Sequence, residues 1–310
     1  MAFSAESTTD EVLAGIRLAG KHAFVTGATG GLGIETARAL ASVGASVTIA
    51  GRSAEKIDSA LKTLREQVPG ARFDAQQLDL ASLSSVADAA KAFVGRGQSI
   101  DLLINNAGVM MCPEGKTADG FETQFGTNHL GHFALTAQLM PAIAAGARVV
   151  TLSSGAHLRG SVDLDDLNWQ SRDYDPQLAY AQSKTANVWF ASELQRRHGD
   201  RLLSLSLHPG VIMTDLARHL TEEIITQMRA GFSGAGIVPK TVPQGAATSV
   251  WAATAPELTE HGGAYLADCQ VAPPTSEQDP RGGYAPWAYD RPGAEQLWTR
   301  SEQLTGVAFA

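Results

Sequence analysis

The chain has 310 residues, of which 44% are hydrophobic, and its formal net charge is −8. This length and apolar content allow a large buried core, organised as one large α/β domain or as two ordinary domains. The acidic balance argues against a nucleic-acid partner, which would favour a basic surface. Cys112 and Cys269 are too few for a disulfide framework or a zinc cluster, so we expect two small thiols in a reducing, cytoplasmic setting.

The first 19 residues are interpreted as an N-terminal extension. They are acidic and lack the basic start and long apolar stretch of a signal peptide. Thr8, Thr9 or Asp10 is expected to cap a short helix there. Further along, no apolar run reaches the roughly 18 residues that a membrane span requires, so we expect no membrane span.

Apolar, β-rich runs alternate with helix-like segments from residue 22 to residue 210. The expected strands are 22–27, 45–51, 71–79, 100–108, 147–154 and 202–210. The expected helices are 31–43, 53–67, 82–95, about 120–145 and 177–198. This alternation indicates βαβ units with helices covering both faces of a parallel sheet. The sequence therefore predicts an α/β fold with a Rossmann-like, doubly wound parallel sheet.

The pattern changes after residue 210. Residues 212–240 are amphipathic and end in a glycine-rich stretch, which we interpret as a substrate lid. A helix at 243–254, a last strand within 262–270 and a C-terminal loop and helix over 271–310 complete the expected organisation. Nothing resembles an interdomain linker, so we expect a single domain over residues 1–310.

The first strand leads into the glycine-rich stretch TGATGGLG, residues 26–33. Glycines at positions 27, 31 and 33 permit a tight turn and let backbone amides approach a pyrophosphate. The N-terminus of the following helix adds partial positive charge at the same place. Because the turn has a strand before it and a helix after it, it predicts a dinucleotide site.

The residue after the second strand indicates which dinucleotide is bound. A carboxylate at this point accepts a hydrogen bond from the ribose of NAD, whereas an arginine holds the 2′-phosphate of NADP. This chain has Arg52 and Ser53 there, and its next acidic residue is Glu55. Arg52 offers a bidentate donor for phosphate, so we expect NADP(H).

Motifs spread along residues 21–215 resemble the short-chain dehydrogenase/reductase family. They are TGATGGLG, Asp79-Leu80, NNAG at 105–108, Asn128, SS at 153–154, YAQSK at 180–184 and HPG at 208–210. Their variants, such as RVVTLSSGAH and YAQSKTANVWFASEL, and the tail with GGAYLADC look like the retinol-dehydrogenase-like subgroup. The resemblance implies an oxidoreductase that exchanges a hydride between a nicotinamide and a carbonyl or alcohol.

The resemblance assigns four catalytic residues. Tyr180 would be the general acid in reduction and the base in oxidation. Lys184 would bond the nicotinamide ribose and lower the tyrosine pKa from its ordinary value near ~10 through its charge. Ser154 would hydrogen-bond the substrate carbonyl, and Asn128 would hold a water that links Lys184 to solvent.

Two features of this region depart from a simple match. Ser153 and Ser154 are adjacent, and adjacent strand residues point to opposite faces, so only one can meet the carbonyl; the family pattern favours Ser154. Ser154 and Tyr180 lie 26 residues apart, a longer gap than in the commonest family members. The surplus resembles the insertion of the subgroup, which we expect beside the active site.

The remaining expected contacts follow from the same resemblance. The cofactor residues implied are Gly27, Thr29, Gly30, Gly31, Leu32, Gly33, Arg52, Ser53, Asp79, Leu80, Asn106, Ala107, Gly108, Tyr180, Lys184, Pro209, Gly210, Ile212 and Thr214. Thr214 would bond either the carboxamide or the phosphate. The candidate substrate contacts are His157, Met213 and Leu216. No metal is expected, because His129 and His132 have no third ligand at a plausible spacing.

These features predict an NADPH-dependent carbonyl reductase, or alcohol dehydrogenase in reverse, acting on a small-molecule substrate. The apolar lid favours a bulky apolar ketone, aldehyde or secondary alcohol. A non-catalytic dinucleotide sensor or scaffold would not need Ser154, Tyr180, Lys184 and Asn128 together. An epimerase or dehydratase would need a larger C-terminal domain.

The Tyr180 helix could also pair with a second copy, which would give a homodimer or homotetramer.

Overall fold

The computed structural model describes residues 3–212, 214, 216–217, 222–223, 225–226, 238–276 and 283–309. Most of the expected lid, including Met213, lies outside the described residues. Of the helices within the described residues, none is both long enough and apolar enough to cross a membrane.

Eight strands form a single sheet. They are β1 (His22–Thr26), β2 (Ser46–Gly51), β3 (Phe73–Gln77), β4 (Ile100–Asn105), β5 (Ile143–Leu152), β6 (Leu202–His208), β7 (Tyr265–Ala267) and β8 (Gln270–Val271). Their spatial order is β3-β2-β1-β4-β5-β6-β7-β8, and all neighbours are parallel except β7 and β8. The strand order reverses between β1 and β4, where open α/β sheets form their ligand crevice.

Helices cover both faces of the sheet, which confirms the doubly wound fold. They are α1 (Thr9–Val12), α2 (Gly31–Ser42), α3 (Ala54–Gln67), α4 (Leu83–Val94), α5 (Thr123–Phe125), α6 (Gly131–Leu139), α7 (Pro176–His198), α8 (Val242–Thr254) and α9 (Arg291–Thr305). Side chains of α1, α2, α3 and α8 form the apolar core on one face. Those of α4, α6, α7 and α9 form the core on the other.

The segment expected as one helix over about 120–145 is divided into several elements. After α5, a π-helix spans Gly126–Leu130 before α6 continues, and a short 3₁₀ turn follows at Met140–Ala142. Pro141 lies in that turn, consistent with its inability to donate to a continuing helix. Residues from Ile143 onward belong to β5, so the last part of the helix prediction was wrong.

The last expected strand is also divided. Asp268 and Cys269 have φ values of 53° and 55°, which turn the chain between β7 and β8 into a short antiparallel hairpin. The Asp268 carboxylate accepts from the Lys240 ammonium in an ion pair at 2.5 Å. That contact gives the unusual turn a partner on the segment before α8.

Helix α7 is enclosed by its own chain. No residue between Ala179 and Gln195 is exposed. Helix α9 packs along it, with Trp298 stacked on Phe190 at a ring distance of 6.0 Å. The C-terminal helix thus covers part of the α7 surface. Pairing of α7 with a second copy stays a prediction.

Candidate active site

The glycine-rich turn after β1 has the shape that a bound pyrophosphate needs. Gly27 and Gly31 have φ values of 66° and 54°, which side chains rarely adopt. A Cβ on Gly33 would lie 2.4 Å from the carbonyl oxygen of Gly27. The N-cap of α2 is Gly30, so no side chain there caps the first amides of the helix. Glycine backbone and helix N-terminus together fit a phosphate ligand.

Asn106 holds this turn in place. Its Nδ2 donates to the Thr26 carbonyl at 2.7 Å, while Thr26 Oγ1 accepts from the amides of Asn106 at 2.9 Å and Ala107 at 3.0 Å. A Cβ on Gly27 would come 2.8 Å from the Cα of Ala107. The side chain of Asn106 thus fixes the ends of β1 and β4 together, and Ala107 and Gly108 line the adjoining wall. Thr26 was not anticipated as part of the site.

The end of β2 presents the residues expected to read the adenosine ribose. Arg52 is exposed, and its carbonyl accepts from Gln77 Nε2 at 3.1 Å. Ser53 caps α3 by accepting from the Lys56 amide. The methyl group of Thr29 lies against Gly51, where an added Cβ would sit 2.7 Å away. Arg52 is therefore held by its backbone beside the glycine-rich turn, with its guanidinium open to solvent.

Asp79 and Leu80, which are expected among the cofactor contacts, differ in what they can offer a ligand. Asp79 Oδ1 accepts from the amide of Ala81 at 3.0 Å and so folds the chain after β3. Leu80 is buried in the apolar core, with its carbonyl close to Gly131. Only the main chain of Leu80 can therefore contact a ligand, because its side chain packs into the core.

The structure distinguishes the two adjacent serines. Ser153 is buried, and its hydroxyl donates to the carbonyl of Lys184 at 2.8 Å. Ser154 is partly exposed at the end of β5, and its hydroxyl bonds the side chain of Tyr180. Ser154 also accepts from the amide of Ala156 at 3.1 Å. It is therefore Ser154, and not Ser153, that lies beside the phenol.

Tyr180 and Lys184 lie one helical turn apart on α7. The Lys184 ammonium lies 5.7 Å from the Tyr180 ring centroid and donates to the Leu152 carbonyl at 3.0 Å. Burial raises the pKa of Tyr180 to about 12, and its bond with Ser154 acts in the opposite direction. Burial also lowers the pKa of Lys184 to about 8. The expected lowering of the phenol pKa by Lys184 is not found; desolvation sets the direction instead.

Asn128 lies within the π-helix and is fully buried. Its Oδ1 accepts from the Val109 amide at 2.8 Å, and its Nδ2 donates to the Val109 carbonyl at 2.9 Å and to Ser183 Oγ at 3.0 Å. A Cβ on Gly108 would lie 3.2 Å from Asn128 Oδ1 and 3.6 Å from Lys184 Nζ. The side chain of Asn128 therefore fastens the Gly108 loop to α7 beside Lys184, and its amide nitrogen donates only within the protein.

His132, considered in the sequence as a candidate metal ligand, extends this network. Its Nδ1 donates to the carbonyl of Asn128 at 2.9 Å, and its Nε2 lies 2.9 Å from Thr26 Oγ1. Burial lowers the pKa of His132 to about 4, so the ring is neutral. The residue thus ties the π-helix to the end of β1. Among the described residues, no group of His, Cys, Asp and Glu could hold a metal ion.

The loop after β6 reaches the glycine-rich turn and α8. Gly210, next to Pro209, has a φ of 94°, and its amide donates to His208 Nδ1 at 3.1 Å. Lys240, which was not anticipated, packs its side chain against Gly210, where an added Cβ would lie 2.8 Å away.

Leu32 and Ile212 both lie against Gly245 at the start of α8. Thr214 lies over Gly31, 3.5 Å from the position of an added Cβ. That position favours the phosphate side among the two contacts expected for Thr214.

Of the three candidate substrate residues, the structure describes His157 and Leu216. His157 has no exposed surface, and its ring bonds Ser154, Tyr265 and Ala285. The expected contact of this side chain with substrate is therefore wrong, because the ring is buried. Leu216 is partly exposed, with its amide bonded to Thr214 Oγ1 at 3.4 Å. Met213 lies outside the described residues.

Comparison with known proteins settles the family. Residues 21–225 match the family model for short chain dehydrogenases. The chain belongs to the short-chain dehydrogenase family. Retinol dehydrogenase 13 of Homo sapiens is 41% identical over 297 residues, which span 93% of this chain and 85% of that protein. The family, and the retinol-dehydrogenase-like character expected from the motifs, are confirmed.

Solved structures of other proteins agree with this assignment. A crystal structure of an uncharacterized protein from Mycobacterium paratuberculosis is 37% identical, covers 100% of both chains and has a TM-score of 0.74. A short chain dehydrogenase from Burkholderia cenocepacia, solved in complex with NADP, is 25% identical with a TM-score of 0.64. That match covers 81% of this chain and 96% of the other. The chain is thus an oxidoreductase of this family by sequence and by fold.

This short-chain dehydrogenase carries an ordered insertion between Ser154 and Tyr180. Gln182 of α7 holds it: Oε1 accepts from the Asp163 amide at 3.2 Å and from Arg172 at 3.0 Å, while Nε2 donates to the Leu167 carbonyl at 3.1 Å. Arg172 also lies 3.8 Å above the Trp169 ring. Gln182, which lies between Tyr180 and Lys184 in the chain, therefore anchors the insertion to α7.

Proposed function

We propose that this protein is an NADPH-dependent carbonyl reductase, which also oxidises alcohols in the reverse direction. One observation carries the proposal: a buried phenol, Tyr180, bonds Ser154 and has the Lys184 ammonium 5.7 Å from its ring. This arrangement lies at the carboxyl ends of the strands, beside a turn that fits a dinucleotide phosphate. A protein that only sensed dinucleotides would have no use for a proton donor there.

The residues support a division of roles in reduction. When bound, the nicotinamide cofactor supplies the hydride. The Ser154 hydroxyl donates a hydrogen bond to the carbonyl oxygen of the substrate, and Tyr180 gives its proton to that oxygen as negative charge develops there. Because burial raises its pKa to about 12, Tyr180 carries its proton at neutral pH. Lys184 and Asn128 keep the Gly108 loop and the Tyr180 phenol in a fixed position relative to each other.

NADPH, rather than NADH, is favoured by the end of β2. Arg52 is an exposed guanidinium with Ser53 at the following helix start, and the nearby Thr29 adds a hydroxyl. Arginine binds phosphate in a bidentate manner, which suits the 2′-phosphate of NADP. The NADP complex of the Burkholderia cenocepacia relative is consistent with this preference.

The proposed substrate is a bulky apolar ketone, aldehyde or secondary alcohol. Support comes from the apolar sequence of residues 212–240 and from the name of its human relative, retinol dehydrogenase 13. Apolar pockets with few polar groups are the usual form of sites for such molecules. The polar groups in this case would be Ser154 and Tyr180.

The proposal is tested by cofactor oxidation with a panel of aromatic, steroid-like and retinoid carbonyls. We expect NADPH to be preferred over NADH, and Arg52→Ala to weaken NADPH binding by about tenfold or more while changing NADH little. Equal rates with both cofactors would contradict the role of Arg52. Lys56→Ala, on the adjoining first turn of α3, is the matched control.

Tyr180→Phe tests the proton donor separately. The substitution keeps the ring and removes the hydroxyl, so we expect kcat to fall by about a hundredfold or more with NADPH affinity retained. The dissociation constant is measured by quenching of protein fluorescence on titration with NADPH. Turnover by the variant would refute the role of Tyr180, and binding without turnover in the wild type would favour a dinucleotide sensor.

A further inference from the structure

His157 lies in the 3₁₀ turn Gly155–Arg159 that follows the catalytic serine. Its side chain has no exposed surface. Its Nδ1 lies 2.7 Å from the carbonyl oxygen of Ser154 and 3.3 Å from the hydroxyl of Tyr265. Its Nε2 lies 3.2 Å from the backbone nitrogen of Ala285. One buried ring thus joins the catalytic turn, strand β7 and the C-terminal segment.

The partners of the ring determine where its proton lies. The Ser154 carbonyl can only accept, so Nδ1 must carry a hydrogen. The Ala285 amide can only donate, so Nε2 must present its lone pair. Both nitrogens are thus matched in one neutral tautomer, and a second hydrogen on Nε2 would face the Ala285 N–H. Burial keeps the pKa of His157 below its ordinary value, which agrees with that assignment.

The C-terminal segment is itself well anchored. Trp287 Nε1 donates to the carbonyl of His157 at 3.0 Å, and the Trp287 carbonyl accepts from Trp189 Nε1 of α7 at 2.8 Å. Residues 285–287 therefore touch both the turn that carries Ser154 and the helix that carries Tyr180. The side chain of His157 connects this segment to the turn that carries Ser154.

We propose that His157 is a positioning residue for Ser154, holding its backbone so that the hydroxyl stays beside Tyr180. This inference rests on the proposed reductase function. Ser154 is bonded from two sides: its hydroxyl to Tyr180 and the Ala156 amide, and its carbonyl to His157. The Ser154 carbonyl also accepts from the His157 amide at 3.1 Å, so removing the donor at Nδ1 leaves it one of its two bonds to His157. We expect this weaker hold to let the Ser154 backbone shift and its hydroxyl move with it. Small displacements of a positioned group are costly in catalysis.

Two amide substitutions separate the two ring nitrogens. In His157→Asn, the amide nitrogen occupies the Nδ1 position and can still donate to Ser154, but nothing reaches Ala285. In His157→Gln, the amide oxygen reaches the Nε2 position and can accept from Ala285, but no donor faces Ser154. His157→Asn loses the bond to Ala285, whereas His157→Gln loses the bond to Ser154 and the contact with the Tyr265 hydroxyl, so the stability of both variants is measured alongside their kinetics.

The experiment measures kcat, KM and the NADPH dissociation constant of both variants in the full-length protein, together with thermal midpoints. We expect His157→Asn to keep kcat within about threefold of wild type, and His157→Gln to lower it by about tenfold to a hundredfold with NADPH binding unchanged. Equal effects of the two variants, or changes that only follow the folded fraction, would overturn the inference.

Trp287→Phe tests the same connection from the C-terminal segment. It replaces His157→Gln in the experiment if that variant does not fold. It removes the donor to the His157 carbonyl, so we expect a few-fold lower kcat, whereas Tyr284→Phe should leave kcat unchanged. An unchanged kcat in Trp287→Phe would contradict the inference. A wild-type protein that reduces no carbonyl in the panel would instead refute the proposed function. In that case, nitrogen-15 spectra of the imidazole still test the tautomer of His157. A signal from a hydrogen on Nε2 would exclude the tautomer assigned here.

Discussion

Single residues in the glycine-rich turn were predictable, because their requirement is local. A turn that brings backbone amides to a phosphate needs glycine wherever a side chain would collide, and this can be inferred from strand, turn and helix signals alone. The role of His157 was not predictable in the same way. Its partners Tyr265 and Ala285 are far along the chain, and only the folded sheet brings them to Ser154.

Gly33→Ala tests the turn at this scale. The added Cβ would lie 2.4 Å from the Gly27 carbonyl, a backbone atom that cannot move without deforming the turn. We expect the NADPH dissociation constant to rise by about tenfold or more, measured by calorimetric titration. Gly160→Ala is the control, because its Cβ would meet only ordinary contacts at 3.9 Å. Equal affinities of the two variants for NADPH would contradict the role of the glycine-rich turn in binding the cofactor phosphate.

Elements were predicted well where one periodicity dominates and poorly where two compete. The six strands 22–27 to 202–210 are largely buried, so their apolar runs identify them. The alanine-rich stretch from 142 to 147 suits helix and strand alike, and only pairing with β4 and β6 makes it part of β5. The turn at Asp268 and Cys269 was missed because neither residue is the glycine or asparagine common in such hairpins.

Gln182 gives a test of the insertion. Gln182→Leu keeps the volume but leaves the Asp163 amide and Arg172 without their shared acceptor. We expect a loss of about 1–3 kcal/mol in the free energy of unfolding, because the partly buried Asp163 amide and the buried Leu167 carbonyl lose their partner. Urea denaturation measures the loss, and trypsin should cleave faster at Arg172.

Gln177→Ala on the same helix is the control for this change. Gln177 is exposed, and its side-chain oxygen accepts from Arg159 Nη1 at 2.8 Å. We expect its stability and cleavage pattern to match the wild type. If both variants behave alike, Gln182 does not anchor the insertion.

The molecule as a whole buries several histidines in their neutral form. Burial lowers the pKa of His129 to about 3 and those of His132 and His208 to about 4. In the unfolded chain these groups titrate near 6.5, so below that pH the unfolded state binds more protons than the folded state. Stability is therefore full above about pH 6.5 and is lost as the pH falls toward 4.

We expect the thermal midpoint to fall steadily from pH 6.5 to pH 4.5. Each of these histidines contributes up to about 1.4 kcal/mol per pH unit in that window. Scanning calorimetry across the range measures this decrease in the thermal midpoint. His132→Asn should reduce the dependence of the midpoint on pH by about the contribution of one histidine. A flat midpoint between pH 6.5 and 5 would show that these rings accept protons in the folded state.

The covering of α7 by the insertion and by α9 has a consequence for how the protein behaves in dilute solution. Residues 179–195 of α7, which include Tyr180 and Lys184, are covered by neighbours on the same polypeptide. The support for Tyr180 and Lys184 is thus intramolecular, and its strength is independent of protein concentration. We therefore expect turnover per molecule to be the same at nanomolar as at micromolar enzyme.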